Sequence, residues 1–374
     1  MINETVLRRE EKAEIALRSL YARYGYLPYR MSKFEEYELY MKNKDFLVSD
    51  QIITFNDTNG RLLALKPDVT LSIIKNGEDE PGCKQKVYYS ENVYRVSEKT
   101  GKYKEIMQTG VECIGAVDIY DIYESIKLAA ESLSLISKSF VLDISHLGIM
   151  IILLEKVCDD NVFRRKALHF IAEKNAHDMK KLCDSYQIPA EQTDVLQVFI
   201  RAYGQRNKVI AQLEEAVQKL APDCEKVRQV MKEIKTLSAL LETSPLSSKI
   251  RFDFSIVNDM NYYNDFAFKG FINGISDGVL AGGQYDKLMK KMDRKDRAVG
   301  FAINLDLLEQ MKQERREYDV DIVILYDENT DVRMVAQAVS EAAASGKTAS
   351  AQKQIPEKLR YREIADLRKG APIC

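Results

Sequence analysis

The stretch from residue 87 to residue 115 constrains the fold of this 374-residue chain more than any other. Two runs rich in β-branched and aromatic side chains, residues 87–95 and 106–114, flank a polar loop at residues 97–104 that contains Gly101. This pattern predicts a β-hairpin with a long polar tip. We expect the rest of the chain to be organised around this hairpin.

One face of the second predicted strand has an unusual composition. Gln108, Gly110 and Glu112 alternate with apolar and small residues, and residues two apart on a strand share a face. An amide, a bare backbone position and a carboxylate would then line one surface, which suits a small polar ligand better than a packed core. A solvated sheet face is the other interpretation of these residues.

The composition argues against several classes of protein. With 55 basic and 57 acidic residues, the chain shows no charge excess typical of a nucleic-acid or membrane surface. It has no apolar run of about 18 residues, and its charged start does not resemble a signal peptide. Six scattered cysteines and three histidines predict no metal site and the reduced thiols of a cytoplasmic protein. No glycine-rich nucleotide loop is present, so we expect no cofactor.

The chain is predicted to have an α+β fold interrupted by an all-helical insertion. Apolar residues recur at helical spacing from 146 to 246, which predicts four or five helices, whereas the segments on either side predict strands of one antiparallel sheet. The expected division is a core at residues 1–145 and 247–316, the insertion at 146–246, and a short α/β segment at 317–374. In that last segment we expect a strand at 319–326 and helices at 332–344 and 356–369.

Four segments of the chain resemble motifs of the histidyl-tRNA synthetase family. Residues 65–70 resemble R-P-E-G-T, and residues 94–112 resemble motif 2 with its F-R and Q-L-G-x-E ends. Residues 257–264 resemble V-R-G-L-D-Y-Y-N, and residues 282–286 with 298–308 resemble G-G-R-Y-D and motif 3. The resemblance implies a class II aminoacyl-tRNA synthetase-like antiparallel sheet flanked by helices, with a truncated anticodon-binding-like C-terminal piece.

The resemblance also implies a histidine-binding pocket made of acidic, neutral polar and aromatic side chains. Carboxylates would accept from the ammonium and imidazole groups, hydroxyl and amide groups would add hydrogen bonds, and tyrosines would form a wall. These residues are Asp68 for the ammonium, Glu112 for the imidazole, Thr70 and Gln108, Tyr262 and Tyr263, with Arg95 as a possible anion contact. Taken alone, Asp68 could instead cap the helix predicted after Pro67, and the two tyrosines could be core aromatics.

The departures from the family motifs concern catalysis. The catalytic arginine of the V-R-G-L-D-Y-Y segment falls on Asn258 and its aspartate on Asn261, while the arginine of motif 3 falls on Leu307. Adenylate formation needs cations on the triphosphate and on the reacting phosphorus. The sequence therefore predicts no catalytic residues, with Arg95 as the remaining motif arginine.

A synthetase-like chain that keeps the amino-acid pocket and lacks these arginines resembles the family of ATP phosphoribosyltransferase regulatory subunits. This resemblance implies a short-form catalytic subunit as partner in the first step of histidine biosynthesis, L-histidine as a feedback ligand, and a homodimer within a hetero-oligomer (a hetero-octamer in the family). Two other hypotheses stay open: a divergent histidine-activating ligase or histidyl-tRNA synthetase-like enzyme, and a tRNA-binding or scaffolding module, which the charge balance disfavours.

Overall fold

The computed structural model describes residues 7–47, 51–78, 80, 82–96, 100–257, 262–311 and 317–369. The chain forms two compact units, Met1–Met311 and Lys312–Cys374. The four-part division proposed from the sequence remains a prediction.

The larger unit contains twelve described strands and eleven described α-helices. Its strands are β1 (Leu27–Pro28), β2 (Phe34–Glu36), β3 (Thr54–Asn56), β4 (Leu62–Leu65), β5 (Lys84–Val96), β6 (Tyr103–Gly115), β7 (Phe140–His146), β8 (Tyr203–Gly204), β9 (Ile250–Asp253), β10 (Phe266–Ile272), β11 (Leu280–Gln284) and β12 (Arg297–Asn304). Its helices are α1 (Arg9–Arg23), α2 (Tyr37–Lys42), α3 (Thr70–Asn76), α4 (Ile119–Ile136), α5 (Leu147–Val157), α6 (Asn161–Ala172), α7 (Ala176–Ser185), α8 (Ala190–Arg201), α9 (Arg206–Leu220), α10 (Glu225–Glu242) and α11 (Asp286–Lys291).

A nine-stranded sheet with the order β1-β5-β6-β12-β11-β10-β7-β9-β8 forms the centre of this unit. Strands from before and after the helical insertion are therefore neighbours in one sheet, as predicted. The pairing is antiparallel except between β1 and β5 and between β7 and β9. The predicted hairpin is confirmed, since β5 and β6 pair from Lys84 with Gly115 to Val96 with Tyr103.

The two faces of the sheet differ in side-chain size. Helices α1 and α4 cover one face, where Tyr21 meets Phe301 with ring centroids 6.0 Å apart. On the other face, small residues lie side by side in two adjacent rows that cross β6, β12, β11 and β10. These residues are Gly110, Ala302 and Ala281 in one row and Gly300, Gly283 and Ala267 in the next. Side chains this small leave space above the sheet.

The helical insertion contains six helices, α5 to α10, so the expected four or five was an undercount. The breaks on either side of α6 lack proline and glycine and are set by capping side chains instead. Asp160 accepts a hydrogen bond from the Phe163 backbone N–H, and Asn175 accepts one from the Asp178 backbone N–H. Strand β7, just before the insertion, was also missed by the sequence analysis.

The smaller unit has a parallel three-stranded sheet. It consists of β13 (Val320–Leu325), α12 (Val332–Ala344), β14 (Ala349–Gln352) and β15 (Tyr361–Asp366), with the strand order β14-β13-β15. The helix predicted over residues 356–369 is wrong, because Tyr361–Asp366 pairs in parallel with β13. Arg, Glu and Ala favour helices locally, but ladder hydrogen bonds to a buried strand outweigh that preference. The sequence pattern of residues 306–315 also predicts a helix, but the described part of this segment is a 3₁₀ turn at Leu305–Gln310.

The described part of the chain lacks two features. In it, no helix combines the length and the apolar character needed to cross a bilayer. Nor does it bring together three or more His, Cys, Asp or Glu side chains in a way that could hold a metal ion.

Candidate functional site

A cavity of about 400 Å³ lies over the small-residue face of the nine-stranded sheet. Gly300, Ala302 and Ala281 belong to its floor. All seven residues that the sequence analysis selected line this cavity: Asp68, Thr70, Arg95, Gln108, Glu112, Tyr262 and Tyr263. The structure therefore brings together side chains from four separate segments, although their ligand remains a prediction.

Glu112 is held from both sides at the floor of the cavity. The Thr70 hydroxyl donates to Glu112 Oε1 over 2.6 Å, and the Tyr285 hydroxyl donates to Oε2 over 2.6 Å. Gly300 is paired with Glu112 across β12 and β6, and a Cβ at Gly300 would come within 1.8 Å of Oε2. The Glu112 carboxyl group can occupy this position only because residue 300 is a glycine.

Burial dominates the electrostatics of this end of the cavity. Glu112 is only 2% exposed, and burial raises its pKa from 4.5 to about 8, while the two hydroxyl donors partly oppose the rise. The nearby Asp68 carboxyl adds to the increase in the pKa of Glu112. Burial also raises the pKa of Asp68, against the hydrogen bond from Leu71 and the charge of Arg95. Two carboxyl groups thus face one poorly solvated space.

Asp68 caps a helix and also lines the cavity. Its Oδ1 accepts a hydrogen bond from the Leu71 backbone N–H over 2.9 Å, which caps the start of α3. The same half-buried residue also lines the cavity. Capping fixes the carboxyl at the cavity wall.

Tyrosines form the aromatic wall next to the carboxyl groups. The rings of Tyr262 and Tyr263 have centroids 5.0 Å apart, and the ring of Tyr262 lies 6.0 Å from that of Tyr285. Burial and the charges of Asp68 and Glu112 raise the pKa of the Tyr262 hydroxyl well above its usual value. This hydroxyl therefore stays protonated and available as a donor.

Amide and cationic groups line the remainder of the cavity. Gln108 Nε2 donates to Asn304 Oδ1 over 2.7 Å, and Arg95 Nε donates to the Pro67 carbonyl over 2.9 Å. Among the described residues that line the cavity, Arg95 and Lys269 are the cationic ones. The cavity thus combines the carboxyl groups of Asp45, Asp68 and Glu112 with two cationic side chains.

The sequence analysis missed five polar residues of the cavity: Asp45, Tyr89, Lys269, Tyr285 and Asn304. Tyr285 lies in the segment that resembles G-G-R-Y-D, and Asn304 in the one that resembles motif 3, so the motif matches contained a signal. Tyr89 is opposite Gly110 and Lys269 is opposite Ala281, and such strand registers cannot be read from one sequence.

Of the three departures that concern catalysis, at Asn258, Asn261 and Leu307, the structure describes the last one. Leu307 is partly buried and packs against the hydrophobic core, and it is not among the residues that line the cavity. Asn258 and Asn261 lie outside the described residues.

The family model and the individual relatives that match this chain point to the same family. The family model described as histidyl-tRNA synthetase matches residues 2–308. The chain is 29% identical over 326 residues to the ATP phosphoribosyltransferase regulatory subunit of Clostridium botulinum (strain 657 / Type Ba4), covering 84% of this chain and 76% of the relative. It is 30% identical over 311 residues to the regulatory subunit of Clostridium novyi (strain NT), covering 79% and 71%.

Solved structures show the same fold. An ATP phosphoribosyltransferase regulatory subunit/histidyl-tRNA synthetase from Bacillus halodurans C superposes with a TM-score of 0.76 at 23% identity, covering 96% of this chain and 93% of that chain. The ATP phosphoribosyl transferase (HisG:HisZ) complex from Thermotoga maritima gives 0.62 at 20% identity, covering 79% and 97%. These likenesses and the family match confirm the predicted class II synthetase-like α+β fold. The chain therefore belongs to the histidyl-tRNA synthetase family, and within it to the ATP phosphoribosyltransferase regulatory subunits.

Proposed function

We propose that this chain is a non-catalytic regulatory subunit of ATP phosphoribosyltransferase. It would act with a separate, short-form catalytic subunit in the first step of histidine biosynthesis. The observation that carries this proposal is the match to relatives named as regulatory subunits over 84% to 85% of the chain. Cytoplasmic location, and a homodimer within a hetero-oligomer, belong to the same proposal.

The cavity chemistry supports L-histidine as the regulatory ligand. A histidine molecule carries an ammonium group and an imidazole N–H, and each needs an acceptor when it leaves water. Asp68 and Glu112 provide two carboxyl groups in one cavity of about 400 Å³, a volume typical of small-molecule sites. The ligand carboxylate would be placed toward Arg95 or Lys269.

The same cavity argues against amino-acid activation. A triphosphate brings several negative charges, and its reaction needs additional stabilisation of the charge that develops at phosphorus. Arg95 and Lys269 are the cations among the described lining residues, and Leu307 packs against the core where the motif has an arginine. Removing one contact of this kind typically costs about 3 kcal/mol of transition-state stabilisation.

Regulation would follow from linkage between two sites. Histidine would bind one conformation of this subunit more tightly and shift the equilibrium of the complex toward it. By reciprocity, the catalytic subunit must then change the affinity of this chain for histidine by the same factor.

Reconstitution tests the proposed function. We expect that adding the purified chain to a short-form phosphoribosyltransferase activates ATP phosphoribosylation, and that the two proteins elute together from a sizing column. Histidine should reduce the activity of the mixture, and Asp68→Asn should weaken this inhibition while the complex still forms. An inactive mixture with no complex would refute the assignment.

The retained Arg95 in the cavity favours one alternative, a divergent histidine-activating ligase or histidyl-tRNA synthetase-like enzyme. This alternative predicts histidine-dependent exchange of pyrophosphate into ATP by the isolated chain. Absence of exchange, together with calorimetric binding of histidine but not ATP, would support the regulatory role.

A further inference from the structure

Glu112 is a buried carboxyl group, and no described cation is among the groups that shift its pKa. The charged and titratable groups around it come from four segments that line the cavity, and all are carboxyl or hydroxyl groups. They are Asp68 and Thr70 at the start of α3, Tyr89 on β5, Tyr262 and Tyr263 before β10, and Tyr285 after β11, whereas β12 places Gly300 opposite Glu112. Arg95 and Lys269 line the same cavity. Arg95 acts on Asp68, and neither cation is among the groups that shift the pKa of Glu112.

The two hydroxyls that hold Glu112 fit either protonation state of its carboxyl group. A hydroxyl can donate to an ionised oxygen or accept from a protonated one. Thr70 and Tyr285 contact different oxygens of Glu112, each over 2.6 Å, so the carboxyl group keeps its position when its proton leaves. The proton of Glu112 can therefore move without loss of the geometry.

We propose that Glu112 enters the histidine complex as a neutral acid and shares its proton with the ligand imidazole, with Tyr285 and Thr70 as positioning residues. This inference rests on the proposed histidine site. The carboxyl group and the imidazole would together hold one proton in the complex. If the pair held two protons, it would contain a buried imidazolium without a counter-charge. If it held none, it would contain a buried carboxylate without a counter-charge.

Proton counting follows directly from this pairing. Free imidazole has a pKa of about 6.5, and burial raises the pKa of Glu112 to about 8. Near pH 7 the separate partners already carry about one proton between them, so binding exchanges almost none. At pH 9 the carboxyl group of the free protein is largely ionised, and binding must take up about one proton. If Glu112 instead had its ordinary pKa, most of a proton would be taken up already at pH 7.

The test is titration calorimetry of the full chain with histidine at pH 7 and pH 9, in buffers of different ionisation enthalpy. Glu112→Gln is the reference, because it keeps Asp68 and the ligand ammonium, which also titrate, and removes only the carboxyl proton. At pH 7 we expect the wild type and Glu112→Gln to exchange the same number of protons on binding histidine. At pH 9 we expect the wild type to take up about one proton more than the variant.

Tyr285→Phe tests the positioning role. It removes a donor that stabilises ionised Glu112, so we expect weaker histidine binding and a smaller proton uptake at pH 9. Tyr24→Phe is the matched control, since the Tyr24 hydroxyl donates to Glu131 over 3.0 Å and neither residue lines the cavity. It should change neither quantity.

Three results would overturn the inference. Equal proton uptake by the wild type and Glu112→Gln at pH 9 shows that Glu112 supplies no proton. Uptake near one proton at pH 7 shows that Glu112 is ionised in the free protein. Both of these leave the histidine site intact, whereas absence of binding at either pH removes that site as well.

Discussion

Replacing Glu112 with glutamine should change how the stability of the ligand-free chain depends on pH. The folded state raises the pKa of this carboxyl group from 4.5 to about 8, mainly through burial. The folded chain therefore holds the proton more tightly than the unfolded chain. The stability contributed by this proton is complete below pH 4.5 and is lost as the pH rises through 8.

The two pKa values set the magnitude. Between pH 5 and pH 8, linkage gives a loss of about 3 to 4 kcal/mol in the free energy of unfolding from this one group. A glutamine does not titrate, so the Glu112→Gln variant should not show this loss. Its amide has one acceptor and two donors for the Thr70 and Tyr285 hydroxyls, so the two proteins should differ by less than about 1 kcal/mol at pH 5.

Urea unfolding at pH 5 and pH 8 measures the effect. The chain has no tryptophan, so far-ultraviolet circular dichroism is the better probe, and it reports mainly on the larger unit, which contains most of the helices. We expect the variant to be the more stable protein at pH 8. Glu131→Gln is the control, because it makes the same carboxyl-to-amide change at a partly exposed residue that accepts from Tyr24 and does not line the cavity. If wild type and Glu112→Gln lose equal stability between pH 5 and pH 8, our account of the cavity electrostatics is incorrect.

Three further substitutions test other parts of the structure. Gly300→Ala places a Cβ 1.8 Å from the Glu112 carboxyl oxygen and should lower histidine affinity more than tenfold by calorimetry, whereas an unchanged affinity would remove this carboxyl group from the site. Asp68→Asn keeps an oxygen to cap α3 but removes the charge expected to bind the ammonium. The melting temperature should therefore stay unchanged while histidine binding weakens by about 1–3 kcal/mol. A fall in both melting temperature and affinity would mean that capping is the main role of Asp68. Lys66 is fully buried and its ammonium lies 2.6 Å from a Glu91 oxygen, so Lys66→Met should destabilise the chain by about 3 kcal/mol in urea unfolding. Adding Glu91→Gln should restore much of that lost stability. No recovery would show that the broken ion pair is not the cause.

Sequence reasoning succeeded where spacing along one strand or helix is sufficient. The alternation of Gln108, Gly110 and Glu112 placed these residues on one face of β6, and the structure lines the cavity with the first and third of them. Local capping chemistry at Asp68 and the periodicity of α12 were also sufficient, since these features involve only neighbouring residues.

Prediction from the sequence failed where a segment that is distant in the chain decides the local structure or the contact. Tyr361–Asp366 has a helical composition but forms a strand because β13 provides the hydrogen-bonding edge. Tyr285 was not selected, because its contact with Glu112 joins residues 173 positions apart in the chain.

The sequence alone determined the hairpin, the face on which its polar residues lie, and the set of motifs that point to a synthetase-like pocket. Only the tertiary structure decided that Gly300 leaves room for the Glu112 carboxyl group, that two hydroxyls hold it, and that burial raises its pKa. The physical reason is that side-chain alternation is a property of one strand, whereas strand register and desolvation arise when distant segments meet and exclude water.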